Sequence, residues 1–271
     1  MRNKFRDRAA VITGSSRGIG KAIAVELAKQ GAFIVLNGRN EKRLKETEAV
    51  IRQIHGNVIS FCGDVSDPET SQRLIRAAVD RFGRLDFLIN NVGVSMRGTV
   101  AEVNPVVFQK VFWSNVLGTV NPTIPAIPHL RKTGGSVIFI SSLAGIRGLP
   151  GLSAYCSSKM SLRAIAESLR LEEMKNGIHV GLVQVGMTEI EYNKETIAPD
   201  GTMRLLEMRD KSKVQTTGQV ALAVLKNIEK RQFISTLTWI GRLNRFMQAR
   251  FPMLVEKIIL ANLRKFEEGS R

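Results

Sequence analysis

Two cysteines in 271 residues, Cys62 and Cys156, provide no disulfide framework and no pair at metal-ligand spacing. That scarcity fits a reducing, intracellular setting. Histidine is as sparse: His55, His129 and His179 stand apart with no ligand pattern, so no metal site is expected. No run of 18 apolar residues occurs, which argues against a membrane span. The apolar stretch behind the basic residues 1–8 ends at Ile12, too short for a signal-peptide core. A cytoplasmic protein, with membrane contact limited to the periphery, is the expectation. Acidic residues are also short: 24 Asp and Glu against 40 Lys and Arg give a net charge of +16. Half of that excess lies in residues 201–271, where 14 cations face 6 acids. A basic surface can attract nucleic acid, anionic lipid or an anionic ligand, or simply keep the chain soluble. No nucleic-acid recognition motif accompanies it, so no specific nucleic-acid partner is expected.

What the chain does have is enough apolar residue, 44%, for one large core. Residues 9–12 read as a short buried strand, followed by Thr13-Gly14-Ser15-Ser16-Arg17-Gly18-Ile19-Gly20 and then helical spacing through Ala22, Ile23, Leu27 and Ala28. A strand, a glycine turn and a helix are what a dinucleotide loop requires: glycines let the backbone approach the ligand, and leading helix amides favour its phosphates. The competing nucleoside-triphosphatase loop fails, because Ala22 follows Lys21 and Ile19 stands where that motif needs glycine.

A second strand, 32–36, runs into Asn37-Gly38-Arg39-Asn40. An acid at this point would bind a ribose 2′-hydroxyl, whereas arginine accommodates a 2′-phosphate. The acid is absent, Gly38 leaves room, and Arg39 and Arg17 offer charge, so NADP(H) is favoured over NAD(H). A solvated loop would also tolerate Arg39. Helices at 41–54 and 68–82 alternate with strands at 57–61 and 85–89, which predicts a Rossmann-type, doubly wound parallel α/β sheet with its ligand crevice at the strand C-termini. A long helix is expected over 100–118, carrying Asn115. Pro122, Pro125 and Pro128 then predict a bent or broken segment up to Leu130.

Beyond a strand at 136–140, Ser142 lies 13 residues before Tyr155, and Lys159 lies four after it. On a helix over 153–171, the latter spacing stacks phenol and ammonium on one face. A phenol with a reference pKa of about 10 is a poor acid/base at neutral pH, and a nearby cation favours its phenolate. An ordinary amphipathic helix would show the same spacing. A strand at 178–184 leads to Gly186, Met187 and Thr188. Residues 189–214 lose periodicity and form either a lid over the crevice or a surface loop. Thr217 is expected to cap a helix over 218–231, before a last strand at 233–236. From 237 to 271 the chain becomes an amphipathic, arginine-bearing helical extension fit for its own domain, a partner subunit or a membrane surface.

In this order the motifs resemble the short-chain dehydrogenase/reductase family over about residues 8–233: Thr13-Gly14 through Gly18-Ile19-Gly20, Asp64, Asn90-Asn91-Val92-Gly93, Asn115, Ser142, Tyr155 and Lys159. The resemblance implies an NADP-binding oxidoreductase domain over 1–236, in which Tyr155 is general acid/base. Ser142 would polarise the substrate carbonyl, Lys159 would hold the nicotinamide ribose and tune Tyr155, and Asn115 would hold a water in the proton relay. The cofactor would meet Gly14, Ser16, Arg17, Gly18, Ile19, Gly20, Gly38, Arg39, Asp64, Val65, Asn91, Val92, Gly93, Gly186 and Thr188. Two positions depart from the family pattern: Val185 replaces a usual proline, and Val92 a usual alanine.

The expected activity is reduction of a ketone or aldehyde, or oxidation of the corresponding alcohol, by a homodimer or homotetramer acting on a small apolar substrate. Val94, Met96, Leu143, Ile146, Leu149, Met187 and Ile190 are the candidate pocket. The rival reading is a dinucleotide-binding regulatory or scaffold protein with an idle catalytic set.

Overall fold

The structure, a computed structural model, describes residues 4–189, 195–206 and 214–263. The first half alternates strand and helix: β1 (Ala9–Ile12), α1 (Gly18–Lys29), β2 (Phe33–Gly38), α2 (Glu41–Ile54), β3 (Val58–Cys62), α3 (Pro68–Phe82) and β4 (Phe87–Asn90). Then come α4 (Pro105–Phe112), a π turn (Trp113–Leu117), α5 (Gly118–Thr133), β5 (Ser136–Ser142), a 3-10 turn (Leu143–Gly145), α6 (Ser153–Glu172) and β6 (His179–Val185). A hairpin of β7 (Glu195–Ile197) and β8 (Met203–Leu205) precedes α7 (Thr217–Lys230), β9 (Ile234–Thr236), α8 (Trp239–Arg250) and α9 (Pro252–Ala261).

Seven strands make one sheet in the order β3-β2-β1-β4-β5-β6-β9, every pair parallel. The order reverses between β1 and β4, and at such a switch point the loops leaving adjacent strands diverge and open a crevice. Both faces of the sheet are covered. Alternate residues of β1 and β2 serve opposite cores: Ala10, Ile12, Ile34 and Leu36 pack with α1, α2 and α7. Val11 and Val35 pack with α3, α5 and α6 on the other side. This is the period of two of a pleated strand buried on both faces, which is why these strands read as continuous apolar runs.

The predicted helix over 100–118 divides. Asn104 caps α4, its side chain accepting from the Val106 amide at 2.9 Å, and the helix passes through a π turn before α5. Pro122, Pro125 and Pro128 lie inside α5 and do not break it. Its face of Pro122, Ala126 and Leu130 is buried, so packing onto the sheet offsets the hydrogen bonds that proline cannot make. The cap of α7 is Thr216 rather than Thr217, in a reciprocal capping box with Gln219. The expected lid contains a strand pair, β7–β8, tied down by Ile197, which donates to Ser95 O and accepts from Arg97 N, both at 3.0 Å. Among the described residues, no helix is long and apolar enough to cross a membrane.

Candidate active site

The loops leaving β1, β2, β3, β4, β5 and β6 surround a cleft of about 670 Å³. One end of it is the glycine loop. Gly14 and Gly18 have φ of +61° and +57°, the left-handed region that glycine enters without a steric cost. Gly20 is required for a different reason: an added Cβ would collide with the Gly14 carbonyl and stand 2.6 Å from Asn91 Nδ2. Asn91 closes the crevice by donating from Nδ2 to Thr13 O at 3.1 Å and Gly14 O at 2.9 Å, while Thr13 Oγ1 accepts from the Asn91 amide at 3.0 Å. Helix α1 starts here with no side-chain cap and no acidic residue in its first turn, whereas Asn40 and Asp67 cap α2 and α3. A helix start of this kind is suited to receive a ligand anion.

At the next strand, Asn37 precedes Gly38 and Arg39 with no acid beside it to select a ribose diol. Its side chain is buried and donates to Phe61 O and Gly63 O, at 3.2 and 3.1 Å, so it braces β2 against β3. Gly38 packs closely on Ser16, since an added Cβ would lie 3.1 Å from Ser16 Oγ. Arg39 Nη1 reaches Asp64 Oδ2 at 3.4 Å, with both side chains well exposed. Burial opposes ionisation of Asp64, but bonds from the Ser66 hydroxyl at 2.7 Å and amide at 3.0 Å, with Arg39 nearby, hold its carboxyl below the usual range.

The other end lies between β5 and α6. Ser142 terminates β5, its Oγ accepting from the Ala144 amide at 3.2 Å in the turn that follows. Lys159, only 4% exposed, donates to Ile140 O at 3.0 Å, and its Nζ sits 6.0 Å from the Tyr155 ring centroid. Gly93 roofs this group closely: an added Cβ would lie 3.1 Å from Lys159 Nζ and 3.2 Å from Asn115 Oδ1. Asn115 occupies the π turn. Its Oδ1 accepts from Val94 N at 2.7 Å, and its Nδ2 donates to Val94 O at 3.0 Å and Ser158 Oγ at 2.9 Å. One amide thus joins the β4 loop to α6, and a π turn at a functional site is a recurrent device.

Ser142, Tyr155 and Lys159 line one cleft together with Ser16, Arg17, Ile19, Arg39, Asp64, Val65, Val92, Gly186 and Thr188. Gly20 and Asn115 do not line it; each shapes the lining from behind. Of the expected substrate wall, Val94, Leu143, Leu149 and Met187 reach the cleft. Ile146 does not, and Met96 is buried instead with Val107, Val111, Ala154 and Ile197, where β7 seals it. Ile190 lies outside the described residues. Ser95, Arg97, Ser114, Leu152, Glu189 and Thr217 also line the cleft without a motif to mark them. None of them carried a site signal in the sequence; Glu189 Oε1 accepts from Thr217 N at 2.7 Å and joins the loop after β6 to α7.

Residues 8–200 match the model of the short chain dehydrogenase family. The chain is 35% identical over 248 residues to an 11-beta-hydroxysteroid dehydrogenase-like 4A of Arabidopsis thaliana, covering 88% of this chain and 79% of the relative. It is 34% identical over 234 residues to a 3-ketodihydrosphingosine reductase of Bos taurus, covering 84% and 70%. Its fold superposes on a short chain dehydrogenase/reductase from Burkholderia phymatum, solved in complex with NAD, with a TM-score of 0.81 over 93% of this chain and 96% of that one, at 22% identity.

Proposed function

Since the chain belongs to the short chain dehydrogenase family of oxidoreductases, we propose that it is an NADP(H)-dependent enzyme interconverting a ketone or aldehyde and its alcohol. The carrying observation is the convergence of Ser142, Tyr155 and buried Lys159 on one cleft whose far end is an uncapped helix start. A bound nicotinamide dinucleotide supplies or accepts the hydride. The residues present fit such a group: a glycine loop in which Gly14 and Gly18 line the cleft with left-handed φ, a helix N-terminus for its phosphates, and apolar Ile19 and Val65 for its rings.

The chain's own part is proton transfer and positioning. Tyr155 donates its phenolic proton to the oxygen of a bound carbonyl and takes it back in the reverse direction. Ser142 places a second donor on the same oxygen, where negative charge develops. Lys159, held by Ile140 O, keeps its cation under the Tyr155 ring and stabilises the phenolate left after proton transfer. Asn115, whose amide is committed to Val94 and Ser158, positions the floor that carries both.

The cofactor preference rests on Arg39 and Arg17 in the cleft and on the lack of an acid at the end of β2. The substrate class rests on the apolar wall of Val94, Leu143, Leu149 and Leu152. It agrees with the relatives' names, which specify a hydroxysteroid and a 3-ketodihydrosphingosine. In Tyr155→Phe, NADPH should bind as before while ketone-dependent NADPH oxidation falls by at least about a hundredfold. Undiminished turnover in that variant rules the mechanism out. A wild-type chain that binds NADPH but oxidises it with no ketone in a broad panel would favour the idle-scaffold reading.

A further inference from the structure

Helix α8 turns its apolar side away from its own domain. The inner side is small and polar: Gly241 is buried, and an added Cβ there would stand 2.7 Å from Leu143 Cδ2. Gln248 Oε1 accepts from Arg147 Nη1 at 3.1 Å. The outer side carries Trp239, Leu243 and Phe246 at helical spacings of four and three, with Ile240 beside them. All four are exposed, Trp239 at 73% and Ile240 at 71%. Helix α9 repeats the arrangement: Met253, Leu254, Ile258 and Leu260 are exposed, and only Val255 is buried. So many large apolar side chains on adjoining exposed helices mark an interaction surface.

The charge of this surface selects its occupant. Residues 239–263 hold four cations, Arg242, Arg245, Arg250 and Lys257, against one acid, Glu256. A second copy of the chain would bring the same cations to an isologous contact, where like charges repel. An anionic lipid bilayer offers the complement of both features. Arginine pairs with phosphate, indole rings rest where apolar and wet layers meet, and a basic amphipathic helix lies in the interface plane.

We propose that α8 and α9 dock the protein onto an anionic lipid bilayer. Trp239, Ile240, Leu243 and Phe246 enter the boundary between headgroups and acyl chains, and Arg245 and Arg250 face lipid phosphates. The inner side of α8 packs behind the cleft wall. Leu143, which lines the cleft, underlies Gly241 of α8. Gly186 packs on Thr238, the residue that caps α8. This inference stands whether or not the catalytic reading holds.

The test uses the full-length chain carrying Trp113→Phe, which leaves Trp239 as its only tryptophan. It is mixed with vesicles of phosphatidylcholine alone, or of phosphatidylcholine with added phosphatidylserine. Docking gives blue-shifted Trp239 emission and co-sedimentation with the anionic vesicles, both weakened by salt. A second chain carrying Trp239→Glu and Phe246→Glu should sediment at least about tenfold less well, from the lost burial of two large aromatics. Its thermal unfolding and NADPH binding should not change, because neither residue touches the cleft. Unshifted emission with no sedimentation overturns the proposal, as does equal sedimentation of the Glu variant. A wild-type dimer that the Glu variant loses, with no vesicle binding, assigns the surface to a second copy and overturns it as well.

Discussion

Removing the Arg39 guanidinium separates two things that its position combines. In the free protein Arg39 is 66% exposed and its contact with Asp64, at 3.4 Å, lies in solvent. Such a surface pair contributes about 0–1 kcal/mol, and Asp64 keeps its bonds from Ser66. Arg39→Ala should therefore leave the unfolding temperature nearly unchanged. Against a 2′-phosphate the same group forms a charge-assisted hydrogen bond, with a net value of about 1.5–3 kcal/mol. The variant should bind NADPH about 10- to 150-fold more weakly. NADH, which lacks that phosphate, should change by less than about threefold. The Asp64 carboxylate, no longer offset by Arg39, adds repulsion that the extra phosphate of NADPH feels more than NADH does. Nicotinamide fluorescence titrations with both cofactors at low ionic strength measure the difference directly, and added salt should narrow it. Equal weakening of NADPH and NADH, or a wild-type chain that prefers NADH, refutes the assignment of Arg39 to the 2′-phosphate.

Gly20→Ala drives a methyl into the Gly14 carbonyl and Asn91 Nδ2. Overpacking of about 1–3 kcal/mol should displace the loop and weaken binding of either cofactor by at least about tenfold, as titration of the folded variant would show. Unchanged affinity would mean that the close approach is not needed. Asn115→Ala leaves the Val94 amide and carbonyl and the Ser158 hydroxyl without their partner. A loss of about 2–4 kcal/mol in denaturant unfolding is expected, together with reduced kcat. Full activity at full stability would contradict the bracing role. Burial, as the largest effect, pushes the pKa of His179 down to about 4, against a partly opposing bond to Gln232 O. Because the unfolded state takes up the proton first, stability is complete above about pH 6.5 and declines as the pH falls toward 4, by about 3 kcal/mol in all. Unfolding midpoints of wild type and His179→Asn should converge over that window, and parallel curves would exclude His179 as the source.

The sheet and the outline of the site were legible because strands buried on both faces and amphipathic helices leave opposite periodicities, and because glycine positions report backbone needs directly. Gly14, Gly18 and Gly20 announce a loop whose geometry no other residue tolerates as well. The failures share a cause: tertiary packing decided against local preference. Three prolines predict a break in α5, yet Ala126 and Leu130 hold the helix on the sheet. Met96 reads as a pocket residue, but β7 lies over it and makes it core. Ser95, Arg97 and Ser114 enter the cleft from segments without periodicity or motif. The outward face of α8 was visible only as apolar spacing; which side it turned to solvent needed the fold.

The π turn at Trp113–Leu117 makes the site depend on chain length as well as on residue identity. One wider turn offsets the angular phase of α5 against α4, by about the 100° that a single residue contributes to an α-helix. Val107 and Val111 therefore face one cluster while Ala126 and Leu130 face another. Deleting a single residue there, even an unremarkable one such as Val116, would restore a uniform helix and rotate one of these faces out of its cluster. The amide of Asn115 would leave Val94 and Ser158 by the same rotation. The turn works as a spacer in angle, and a one-residue deletion would harm this enzyme more than most substitutions at the same positions.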